Sequence, residues 1–105
     1  MSNNTPQHSN VLIPSQPDHY CLVRAVEEKF NEVCLMYQKL VGVDLMVPKH
    51  LNPDVIRCNE MRARHKRGDL RHTEAEHRSV KAVAEWLLEV NASIRNQQKP
   101  KIVWG

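Results

Sequence analysis

Val23, Val26, Phe30, Val33, Tyr37 and Leu40 recur at intervals of 3, 4, 3, 4 and 3 along the chain, the spacing of one narrow stripe on a helix. Val80, Val83, Leu87, Val90 and Ile94 repeat the pattern at 3, 4, 3 and 4, and Trp86 widens that second apolar face. Two long amphipathic helices follow from this patterning. Between them the apolar positions are less regular. At 100° per residue, Ile56 and Ala63 share one face of the middle segment, while Val55, Cys58 and Met61 read as scattered over others.

The polar positions mark where each helix begins and ends. Ser15 and Asp18 have the spacing of a capping box and Pro17 suits a first helical turn, so the first helix should start at residues 16 to 18. Gly42 supplies the permissive backbone of its end. The stretch VDLMVPKHL, residues 43 to 51, is apolar but broken by Pro48, which predicts a packed connection. Asn52-Pro53-Asp54 then restarts a helix, with Asn52 as N-cap, that should run to about Arg67 and stop at Gly68. Thr73 and Glu76 form a second capping box, which opens the third helix.

The predicted architecture is therefore all-α, a small three-helix bundle. A flexible N-terminal arm covers residues 1–16, a helical domain residues 17–97 and a short C-terminal tail residues 98–105. The arm is rich in Asn, Ser, Gln and Pro around an apolar triplet, Val11 to Ile13, and the tail ends in Ile102, Val103 and Trp104. A chain of 105 residues supports one small core. Such a domain is marginally stable alone, so a homodimer or a bound partner would complement it.

Composition narrows the setting. Three cysteines, Cys21, Cys34 and Cys58, form no CxxC pair, which disfavours a disulfide framework or zinc knuckle and suits a reducing compartment. With no cationic leader and no apolar run long enough to span a bilayer, a soluble cytoplasmic protein with no membrane partner is expected.

Charge changes the picture more. Fifteen Lys and Arg against twelve Asp and Glu give +3, and five of the cations fall within EMRARHKRGDLRH, residues 60–72. Some of these have a local explanation: Arg64, Lys66 and Arg67 suit the negative end of a helix, and Glu60 has i, i+4 spacing to Arg64. The remainder suggests a contact surface over the elbow between the second and third helices. Its candidate residues are Arg57, Arg62, Arg64, His65, Lys66, Arg67, Arg71, His72, Arg78 and Lys81. An acidic surface on a larger protein or complex fits it, as do the phosphates of DNA or RNA. A recognition helix starting Thr73-Glu74-Ala75-Glu76 would meet phosphates with like charge, which argues against major-groove docking and leaves nonspecific phosphate contact or an acidic protein groove.

Catalytic chemistry finds little support. There is no Walker loop, GxSxG or HExxH, and three glycines leave little material for a phosphate cradle. Cys58, His65, His72 and His77 are separated by seven, seven and five residues, wider than usual metal-ligand pairs, so neither a metal nor a cofactor is expected. The sequence points to a noncatalytic helical regulatory or inhibitory protein that binds a larger partner through the basic elbow. A small nucleic-acid-binding protein using the same elbow is the alternative.

Overall fold

The computed structural model describes residues 11–98. Three helices dominate: α1 (Pro17–Val41), α2 (Asn52–Lys66) and α3 (Glu74–Gln98). A 3-10 turn at Lys49–Leu51 leads into α2, and two short strands, β1 (Ile13–Pro14) and β2 (Arg71–His72), pair antiparallel with Ile13 opposite His72 and Pro14 opposite Arg71. The expected all-α three-helix architecture is what the chain forms.

α3 is the central helix. Both α1 and α2 pack along it, while the backbones of α1 and α2 stand apart and the two helices meet through side chains such as Arg62 and Glu27. α1 and α3 run in the same direction, since His19 meets His77 near their starts and Phe30 faces Trp86 further along. α2 runs the opposite way, from Leu51 near Trp86 to Arg64 beside Glu76. Being 15 residues against 25 for its neighbours, it covers only part of their length. The far end of α1 and the connection after it therefore leave Leu35, Leu40, Val41, Val43 and Met46 exposed. Leu40 falls outside the core that its place in the stripe predicts.

The core is aliphatic. Val23, Val26 and Val33 from α1 meet Val80, Val83, Leu87 and Ile94 from α3, with Phe30, Tyr37 and Val90 packed at the edge. α2 contributes Cys58 and Met61, with Val55 partly buried and Leu51 buried just before the helix. These four positions step by 4, 3 and 3 residues, a helical stripe, while Ile56 is 56% exposed. Val55, Cys58 and Met61, which read as scattered in the sequence, thus lie on one stripe, because packing against α3 selects that side.

The helix ends are partly as expected. Gly42 and Gly68 take positive φ, 88° and 92°, which a side chain rarely adopts, and each ends a helix. At the start of α3 the capping box is complete: Glu76 N–H donates to the Thr73 hydroxyl at 3.0 Å, and Thr73 N–H donates to the Glu76 carboxylate at 2.9 Å. The two other predicted caps differ. Gln16 occupies the N-cap of α1 with no side-chain bond, because Ser15 is drawn to His72. Asn52 is already helical, since the 3-10 turn before it makes Leu51 the N-cap.

The arm expected over residues 1–16 is tied down at its inner end. The β1–β2 pairing is extended by Ser15 N–H donating to the Leu70 carbonyl at 2.8 Å. The rest of the arm before Val11, and the tail with Ile102 to Trp104, lie outside the described residues. No helix among the described residues is long and apolar enough to cross a membrane.

Candidate functional site

Helix α2 carries most of the basic stretch, and its cations reach in different directions. On the α3 side, the half-buried Arg64 binds the Glu76 carboxylate and donates from Nε and Nη2 to the Arg71 carbonyl at 3.2 and 3.1 Å. Arg64 therefore pairs with Glu76 on another helix and not with Glu60. Arg57 lies 3.6 Å from Asp54 and donates to the Ser79 hydroxyl, which itself donates to Asp54 at 2.8 Å. On the α1 side, Arg62 bonds the Glu27 carboxylate and the Asn59 side chain, and its guanidinium holds the Glu27 carboxyl below the usual range. Arg71 forms a two-pronged pair with Asp69 at 2.7 and 2.8 Å, lowering the Asp69 carboxyl in turn.

Four of the predicted contact residues are thus committed to intramolecular partners. Lys66, Arg67, Arg78 and Lys81 are exposed and carry no ion pair among the described residues. They do not form one surface. Lys66 points into the space between α1 and α2. Arg78 and Lys81 lie on the back of α3, because Val80, Val83 and Leu87 mark its packed face and 100° per residue puts both cations well away from it. Arg67 caps the end of α2 at the elbow. The sequence run that looks continuous is divided by helical geometry.

Because the backbones of α1 and α2 stand apart, a groove opens between them with α3 as its floor, crossed by the Arg62–Glu27 pair. At its apolar end a cleft of about 180 Å³ is lined chiefly by Val23, Val26, Phe30, Val55, Cys58 and Val83. The groove continues past Glu27, Asn31 and Arg62 into a polar end bordered by Tyr20, Arg24, Glu28, His65 and Lys66. Burial pushes the Cys58 thiol up to about 11, so it stays protonated at neutral pH. It stands in the wall of the cleft.

A second assembly forms where β2 meets the starts of α1 and α3. His19, His72 and His77 bring one ring nitrogen each to within 4.8 Å of one another, with His19 and His72 buried. The His19 and His72 rings stack at 3.7 Å, and the His19 and His77 Nδ1 atoms lie 2.7 Å apart, a hydrogen-bond distance with the proton on one of them. The Ser15 hydroxyl meets His72 Nδ1 at 2.8 Å, while His19 Nε2 is buried without a partner. Burial, reinforced by the neighbouring imidazoles, lowers His19 to about 4, and burial also lowers His72. Ser15 and His72 have the reach of a nucleophile and base, but a buried imidazole held below its usual range is a weak base, and other imidazoles surround it in place of an orienting carboxylate.

The histidines weighed in the sequence are regrouped by the fold. Cys58 lies on the groove wall and His65 stands outside the triad, beside Tyr20 with both ring nitrogens buried and unpartnered. His72 and His77 are joined instead by His19, which local spacing could not bring to notice because it lies 58 residues from His77. Glu76 was visible only as a cap, yet it is also the partner of Arg64. No protein-family model, curated protein or solved structure matches this chain.

Proposed function

We propose that the chain is a noncatalytic helical regulatory protein that binds a larger protein with an acidic surface, and that the groove between α1 and α2 is its binding face. The groove is the observation that carries this reading. Its apolar end, about 180 Å³, suits an anchoring side chain from a partner. Arg24 and Lys66 along the groove, with a net charge of +3 on the whole chain, favour an acidic segment beside that anchor.

The elbow suggested by the sequence plays a smaller part. Arg57, Arg64 and Arg71 are engaged internally, and Arg78 and Lys81 face away from the groove. That division weakens the case for a phosphate-tracking surface and hence for nucleic acid. Three free cysteines fit a cytoplasmic setting, and inhibition of the bound partner is one form the regulation can take.

Affinity capture from the native host with the wild-type chain, a Phe30→Glu variant and an Arg78→Gln/Lys81→Gln variant tests this proposal. A protein retained by the wild type and the α3 variant, and lost with Phe30→Glu while helicity is kept, supports it. DNA or RNA bound with a steep fall of affinity in salt, and lost with Arg78→Gln/Lys81→Gln, would establish the nucleic-acid alternative.

A further inference from the structure

We propose that His19, His72 and His77 are the ligands of a divalent transition-metal ion, zinc by the fit of the donor set, at the junction of α1, β2 and α3. The three ring nitrogens lie within 4.8 Å of one another. Donor atoms around tetrahedral zinc, with Zn–N of about 2.0–2.1 Å, stand about 3.3 Å apart. The His19 and His77 nitrogens, now 2.7 Å apart, need to separate slightly. The widest pair needs to close by at most about 1.5 Å, within reach of small side-chain rotations.

Two further observations point to a ligand. His19 is buried, its Nε2 has no partner and its Nδ1 meets only another imidazole, so whichever of the two nitrogens takes the ion gives up no bond except the one to His77. Buried polar groups left in that state ordinarily answer to an ion or water. The Ser15 hydroxyl on His72 Nδ1 is the outer-shell contact that fixes a coordinating imidazole and leaves its Nε2 as the donor. An all-imidazole set suits zinc, copper and nickel, and three protein ligands leave a fourth coordination position for water or another donor.

The position also gives the ion a task. His19 belongs to α1, His77 to α3, and His72 to the strand that pairs with β1. One ion would therefore join the inner end of the arm, the turn after α2 and the starts of two parallel helices. This proposal is independent of the groove and stands or falls separately.

Titrating the metal-free, full-length protein with zinc against a chromogenic zinc indicator tests it. One equivalent should bind and raise the melting temperature, and cobalt should give the visible absorption of a tetrahedral site. His19→Asn and His72→Asn should each weaken zinc binding more than about 100-fold, and Ser15→Ala about 10-fold, the lower end of outer-shell effects. His50→Ala, at an exposed position of the 3-10 turn, should bind as the wild type does. Should the histidine variants lose their fold, imidazole nitrogen NMR of the wild type decides, with three histidines shifting on zinc addition as the proposal requires. No saturable binding by the wild type, shifts at a different set of histidines, or full binding by folded His19→Asn/His72→Asn would overturn it.

Discussion

Arg64→Ala should cost this protein much of its stability, although Arg64 sits in a stretch that looks like exposed charge. The Arg64 and Glu76 side chains are only 15% and 7% exposed, and Arg64 also holds the Arg71 carbonyl. Removing the guanidinium leaves the Glu76 carboxylate buried with only the Thr73 N–H. Breaking one side of a buried pair costs about 3 kcal/mol or more. A small domain has roughly 5–15 kcal/mol in all. At about 4–8 °C per kcal/mol the melting temperature should fall by on the order of 12–24 °C. Arg67→Ala, at an exposed position, should change stability by no more than about 0.5 kcal/mol. Arg64→Met combined with Glu76→Gln should recover most of the loss, because Gln keeps the capping bond and no buried charge remains. Thermal and urea melts followed by circular dichroism measure all three. Equal melting of Arg64→Ala and Arg67→Ala, or no recovery in the double variant, would refute the reasoning.

Thr73→Ala removes one arm of the capping box and should cost about 1 kcal/mol, visible as a lower urea midpoint with an unchanged m-value. Leu87→Asp should unfold the domain, whereas Leu88→Asp, one position on at 64% exposure, should leave the melt nearly unchanged. In metal-free protein, stability should fall as pH drops from about 6.5 towards about 4, the interval between the ordinary and the folded pKa of His19. The sign follows from the lowered value: the unfolded chain binds protons first, so the contribution is complete above 6.5 and is lost through the folded pKa. Urea melts across that range check it, and His19→Gln should flatten the slope.

How much of this was legible depended on where the interacting groups lie in the chain. The α1 and α3 stripes, the Thr73 capping box and the two helix-ending glycines are local, so their physics is written in consecutive residues. The α2 stripe was hidden because it begins at Leu51, before the helix, and passes through Cys58, amid cations that drew attention to charge. Ion pairs and the histidine triad were illegible for another reason. Glu27 lies 35 residues from Arg62 and His19 lies 58 from His77, so only the parallel packing of α1 and α3, with α2 reversed, brings them together. A run of basic residues likewise says nothing of which face each one occupies. Helical geometry sends Lys66 into the groove and Arg78 and Lys81 to the back of α3.

Hydrogen exchange on the captured complex, compared with the free chain, tests the proposed binding face most directly. Amides report local opening, so a partner seated between α1 and α2 should slow exchange over residues 20–31 and 55–66 and leave residues 90–97, at the far end of α3, unchanged. Protection confined to residues 90–97, or none on either side of the groove, would contradict it.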